Sequence, residues 1–106
     1  KTMSRVDEIA HTMKSKFNAG AAAGLDLVFG FKIDDGESFY LTVKDGTCDL
    51  GMGESANANV TLLMSTETLA GISTGETDGM QAFMGGKLRA EGDMMLAMKL
   101  SELFPV

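Results

Sequence analysis

Residues 25–52, LDLVFGFKIDDGESFYLTVKDGTCDLGM, contain three segments in which apolar and polar side chains alternate. A period of two is typical of strands that bury one face. Two Asp-Gly dipeptides, Asp35-Gly36 and Asp45-Gly46, separate the segments, and this dipeptide favours the turns of β-hairpins. The segment therefore predicts an antiparallel meander of three strands. The side chains on its buried face would be Leu27, Phe29, Phe31, Ile33, Phe39, Leu41, Val43, Cys48, Leu50 and Met52.

An amphipathic helix is predicted before this meander. Apolar residues recur at helical spacing at Met3, Val6, Ala10, Met13 and Phe17. A helix with one apolar face must dock on another element of the fold.

Two further strands are predicted after the meander. The apolar run from Val60 to Met64 favours a buried fourth strand, and the alternation from Lys87 to Glu91 favours a short fifth. Helices fill the rest of this half, each opened by an N-capping residue: Ser65, Asp78 and Asp93. The predicted order is helix, four strands, two helices, strand, helix, with the last helix running to about residue 104.

The last third of the chain is rich in methionine. The closing helix would carry one apolar face of leucines with Ala97 and Phe104, and a second stripe on a different side, formed by Met94, Met95 and Met98. Met80, Met84 and Phe83 precede it on the short helix. Methionine is flexible and polarisable, so it accommodates ligands or partners of varied shape. These residues could fill an irregular core, line a pocket or form an interface.

Composition and charge exclude several classes of protein. A net charge of −6 and a pI near 4.6 disfavour binding to nucleic acid. One cysteine, Cys48, allows no intramolecular disulfide, and no apolar run is long enough to span a bilayer. We find no signal peptide or lipidation motif, and the last residues are not a peroxisomal address. We expect one domain over residues 1–106 and a cytoplasmic location.

No catalytic, metal-binding or cofactor-binding constellation is evident, so we predict that the chain is not an enzyme. His11, the sole histidine, points away from the apolar face of its helix and is predicted to be a solvated surface residue. Cys48 shares a strand face with Leu50 and Met52, so we expect a buried thiol and not a nucleophile. No group of cysteines, histidines and carboxylates has the spacing of metal ligands.

One run of sequence carries a resemblance to a known family. The segment Phe83–Asp93, FMGGKLRAEGD, followed by Leu96–Leu100, LAMKL, resembles the sterol carrier protein type 2 domain. Ala82-Phe83 and Gly86-Lys87-Leu88 stand where that family has an Ala-Phe pair and a Gly-Lys-Leu motif. The order of elements also agrees, so the resemblance extends over roughly residues 25–104.

The resemblance implies an α+β fold: a five-stranded, mostly antiparallel sheet with helices packed on one face, enclosing an apolar tunnel. That tunnel would accept fatty acids, fatty acyl-CoA, sterols or phospholipids, and the chain could also transfer them between membranes. By correspondence with the family, the short helix would wall the tunnel and the closing helix would cover it. These two helices contribute Met80, Phe83 and Met84, and Leu96, Met98, Leu100 and Leu103, to the expected binding site; the stripe adds Met94 and Met95.

Two alternatives remain open from the sequence. The methionine-rich face could bury against a second copy of the chain, giving a homodimer, or against another protein. The chain could also be an accessory domain that presents acyl substrates to a separate enzyme.

Overall fold

The structure, a computed structural model, describes residues 4–106, which form five strands and five α-helices; Met3, predicted on the first helix, lies outside them. In chain order the elements are α1 (Arg5–Ser15), β1 (Asp26–Ile33), β2 (Phe39–Lys44), β3 (Thr47–Met52), β4 (Val60–Met64), α2 (Thr66–Thr74), α3 (Gly79–Met84), β5 (Leu88–Gly92), α4 (Met94–Ala97) and α5 (Leu100–Leu103). A 3-10 turn at Ala19–Ala21 joins α1 to β1.

The strands form one sheet in the order β3-β2-β1-β4-β5. The β1–β4 pair is parallel and the other three pairs are antiparallel. The predicted α+β fold with a mostly antiparallel five-stranded sheet is therefore confirmed. Because β1 and β4 are parallel, the chain must cross over between them, and the β1–β3 meander ends up on one side of the sheet while β4 and β5 extend the other.

The second hairpin turn shows why an Asp-Gly dipeptide is suited to its position. Asp45 and Gly46 have φ values of 53° and 74°, both in the left-handed region. A two-residue turn with positive φ at both positions matches the twist of the strands that it joins, and Asp and Gly tolerate this conformation better than most residues. The turn thus fixes the register that places Val43 opposite Cys48.

One face of the sheet is buried and carries the helices. Phe29, Phe39, Leu41, Val43 and Val60 are fully buried there, and the rings of Phe31 and Phe39 stack at 4.6 Å between centroids. Helical residues and the residue after α5 complete this core: Val6, Ala10, Leu69, Leu103 and Phe104. Met52, predicted to face inward, is exposed because it ends the edge strand β3.

The closing helix differs from the prediction. Instead of one helix from residue 94 to about 104, the chain forms α4 and α5, separated by a turn at Met98 and Lys99. The backbone of these two residues has ψ values of −19° and −14°, and hydrogen bonds of the i→i−3 type hold the turn. The turn lets α4 pack on β4 and β5 while α5 packs on the 3-10 turn.

A carboxylate links the first hairpin to helix α2. Asp35 accepts hydrogen bonds from the backbone N–H and the hydroxyl of Thr66, at 2.8 and 2.9 Å. The N–H of Thr66 is one of the groups that a helix leaves unpaired at its N-terminus, and Ser65 caps a second one, the N–H of Thr68. The bonds from Thr66 hold the pKa of Asp35 below its usual range.

We predict that Asp35→Ala lowers the urea midpoint of unfolding at about pH 7 and that the loss fades in acid. Because the pKa of Asp35 is lower in the folded chain, its stabilising effect is complete above the unfolded pKa of about 3.9 and is lost as the pH falls through the lower, folded pKa. Urea unfolding of both proteins across this range measures the effect. Asp34→Ala, in the same turn, is the matched control. An equal midpoint for the two variants at neutral pH would contradict the prediction.

Cys48 lies on β3 with its side chain in the core. Burial raises the pKa of its thiol to about 11. At about pH 8 this leaves on the order of one thiol in a thousand ionised, and the thiolate is the reactive form. The prediction that Cys48 is buried is confirmed, and its low reactivity stays a prediction.

We therefore expect a disulfide reagent to label Cys48 slowly in the folded chain and rapidly in urea. The reaction is followed by absorbance at about pH 8, where an exposed cysteine is partly ionised. Labelling of the folded chain at the rate seen in urea would show that the thiol is accessible.

Candidate functional site

A cavity of about 610 Å³ lies between part of the sheet and the helices. Its floor is formed by inward-facing side chains of β1, β4 and β5: Phe31, Leu62, Met64, Leu88 and Ala90. Leu69 and Ile72 of α2 form one wall, and α3 and α4 form the side opposite the floor with Met80, Phe83, Met94 and Met95. The volume is in the usual range of ligand sites, about 300–1,000 Å³.

Unequal helix cover explains why the space over β4 and β5 is not filled. The longest helix, α1, has 11 residues and packs against β3 and α2. The helices that pack on β5 are α3 and α4, with only six and four residues. Such short helices bring few side chains over the sheet, and Ala90 beneath them is small. The cavity therefore lies over β4 and β5, where the helix cover is short.

The structure brings six of the nine predicted site residues together around this cavity: Met80, Phe83, Met94, Met95, Met98 and Leu100. The other three lie elsewhere. Met84 is 79% exposed on α3, Leu103 is buried in the core at 1% exposure, and Leu96 is half-buried against that core. Met95 and Met98 line the cavity and are also 72% and 62% exposed, so the cavity reaches the surface beside them.

Sequence reasoning missed the contributions of α1, α2 and the strands to the lining. Met13 and Lys16 come from the end of α1, and Ser73 comes from the end of α2. The alternation of β5 does identify Ala90 as inward-facing, and the apolar run of β4 predicts that Leu62 is buried. Alternation cannot show whether an inward side chain meets another side chain or an empty space, so such residues are predicted as core.

A tight loop after α2 contributes to the cavity lining. Thr77 donates its backbone N–H to the carbonyl of Gly71 at 3.0 Å, and its side chain lies where a Cβ on Gly71 would be. A residue without a side chain is therefore needed at Gly71 for this close approach. The loop thereby places Thr77 and Asp78 in the cavity lining.

Two charged side chains line the otherwise mainly apolar cavity. The Lys16 Nζ donates a hydrogen bond of 3.2 Å to the backbone carbonyl of Ser73 near the C-terminus of α2. Asp78 precedes α3 where an N-cap was predicted, but within the described residues its side chain makes no capping hydrogen bond. The site can thus surround an apolar molecule and meet a polar group at the Lys16 end.

His11 and Cys48, the two side chains considered for catalysis, are not among the described residues that line the cavity. Within residues 4–106, no cluster of three or more histidines, cysteines and carboxylates is placed to hold a metal ion. His11 is exposed, as predicted, and its Nδ1 lies 2.8 Å from the carbonyl oxygen of Asp7 and 3.3 Å from the carboxylate of the same residue. Among the same residues, none of the helices has the length and apolar character that a membrane span requires.

Comparison with known proteins identifies relatives along most of the chain. Residues 6–105 match the SCP-2 sterol transfer family. Hydroxysteroid dehydrogenase-like protein 2 of Bos taurus is 32% identical over 101 residues, which are 92% of this chain. The chain spans only 24% of the length of that relative.

Two solved structures have the same fold over nearly their whole length. Apo sterol carrier protein 2 from Yarrowia lipolytica is 25% identical with a TM-score of 0.70, covering 100% of this chain and 98% of that one. Palmitated SCP2L2 from Aedes aegypti is 28% identical with a TM-score of 0.70, covering 98% and 96%. The family match, the curated relative and the shared architecture agree, and the chain belongs to the SCP-2 sterol transfer family.

Proposed function

We propose that this chain binds a lipid-like molecule with a long aliphatic chain, in the cavity over β4 and β5, without catalysing a reaction on it. The observation that carries the proposal is the cavity itself, about 610 Å³ in volume and lined mainly by apolar side chains. A site of this kind selects by shape and apolar area and needs few polar anchors. The methionines on its rim adapt to ligands of differing shape.

The energetics of such binding are favourable. Burying a methylene group contributes about 0.8 kcal/mol, so the roughly fourteen methylenes of a palmitoyl chain contribute about 11 kcal/mol. Association costs of about 4 kcal/mol or more reduce this sum. The remainder allows useful affinity for a long chain and little for a short one, so affinity should rise with chain length.

A relative supports this choice of ligand class. The Aedes aegypti SCP2L2 structure is that of the palmitated protein, which covers nearly all of this chain at 28% identity. We propose the same class here, with Met80, Phe83, Met94, Met95, Met98 and Leu100 in contact with the bound chain. Contacts by Met84, Leu96 and Leu103, transfer of lipid between membranes, one independent domain over residues 1–106 and a cytoplasmic location stay predictions.

A second candidate function follows from the length of a relative. The Bos taurus relative is named as hydroxysteroid dehydrogenase-like, and this chain corresponds to 24% of it. A lipid-binding domain joined to such a protein would present an acyl or sterol substrate to it. Binding of lipid is common to both candidates. Dimerisation through the methionine stripe of the closing segment, Met94, Met95 and Met98, stays a separate prediction, tested by light scattering.

The first test is lipid uptake. We expect delipidated protein to bind palmitate at one molecule per chain in native mass spectrometry, with affinity falling as the acyl chain is shortened. A chain that takes up no palmitate, acyl-CoA or sterol would refute the proposed function.

A second test fills the cavity from its floor. We expect Ala90→Phe to reduce palmitate affinity, because its ring occupies space that the acyl chain needs. Excluding two methylenes costs about 1.6 kcal/mol, or about fifteenfold in affinity. Titration by native mass spectrometry or calorimetry measures this effect.

Arg89→Phe is the matched control, since Arg89 is on the same strand and its exposed side chain points to the opposite face. Equal palmitate affinity in the two variants would show that the ligand does not occupy this cavity.

A further inference from the structure

The cavity lining contains a cationic side chain, which has no part in the binding of an aliphatic chain. Among the residues that the structure describes, Lys16 is the sole cationic side chain in the lining. It lies at the end of the cavity where α1 and α2 both finish, beside the buried Ser73. The methionines Met94, Met95 and Met98 belong to other elements, α4 and the turn after it.

A hydrogen bond holds the ammonium group of Lys16 in place and leaves it N–H donors for a ligand. One hydrogen bond, 3.2 Å long, runs to the carbonyl of Ser73 in the last turn of α2. Carbonyl groups at a helix C-terminus lack intrahelical partners and attract a cation. A lysine ammonium has three donors, so this bond leaves two. Ion pairs recorded within residues 4–106 involve Arg5 and His11 and not Lys16.

We propose that Lys16 receives the anionic head group of the bound lipid, so that the cavity prefers a fatty acid to a neutral lipid of the same chain length. This inference rests on the proposed function. An alkyl chain placed over β4 and β5 can bring a terminal carboxylate to the Lys16 end of the cavity. A hydrogen bond between charged groups is stronger than one between neutral groups, so a carboxylate gains more from Lys16 than a hydroxyl does.

The charges around the site favour a carboxylate over the head group of an acyl-CoA. A CoA group carries several phosphates and needs several cations. The described part of the lining includes a single lysine and also Asp78, and the whole chain has a net charge of −6. One cation matches one carboxylate. Asp78 repels any anion, so we assign the carboxylate to Lys16, the sole cation in the described part of the lining.

The test compares palmitate with 1-hexadecanol, which has the same chain length and no charge. Each displaces the neutral dye Nile red from the delipidated chain. We expect the wild type to prefer palmitate by about fivefold, since the lysine is exposed and water weakens the pair. Lys16→Gln should lose this preference by weakening palmitate alone, and Lys16→Arg should keep it.

Lys14→Gln is the matched control, because Lys14 is in the last turn of α1, two residues before Lys16, and is not among the described residues that line the cavity. It should leave the preference unchanged. A preference that survives Lys16→Gln, or an equal loss of both ligands in that variant, would overturn the role of Lys16.

Palmitoyl-CoA is the third ligand compared in the displacement assay. If Lys16→Gln weakens palmitoyl-CoA more than palmitate, the head group at Lys16 is a phosphate and the preference for a fatty acid is wrong. Failure of the wild type to bind both palmitate and hexadecanol would refute the proposed function itself, and this inference with it.

Discussion

The uneven cover of a single sheet face is the constraint on which the rest of the molecule depends. Parallel pairing of β1 with β4 divides the sheet into a meander on one side and the β4–β5 pair on the other. The longest helix packs against the meander edge, whereas β5 is covered by helices of six and four residues. The side chains over the meander belong to the buried core, and the space over β4 and β5 keeps a cavity.

Local sequence signals predict much of this fold because they act over short distances. Period-two alternation around Phe29 and Leu41, positive φ at Asp45 and Gly46, and the N-cap at Ser65 each depend on a few neighbouring residues. The break between α4 and α5 has no such signal, since no glycine or proline lies between residues 97 and 100. The turn there arises because the two segments pack on different parts of the fold.

The candidate site was predictable only where a local sequence signal marks its residues. The methionine stripe of α4 and the turn after it stands out because this segment has more apolar surface than one core can bury. Leu62 and Ala90 give no comparable signal, since a side chain that faces a cavity and one that faces a core have the same pattern. Lys16 is the clearest omission. It belongs to no motif, and only the packing of α1 against α2 brings it to Ser73, which is 57 positions further along the chain.

The short elements around the cavity have a consequence for how the molecule opens. Isolated helices of fewer than about 12 residues are marginal in water, so α3, α4 and α5 depend on their packing for stability. The central strands β1 and β2 are held by hydrogen bonds on both sides. Local unfolding can then release the helices over the cavity at a lower free energy than global unfolding. A ligand could then enter or leave the cavity while the strands of the sheet stay paired.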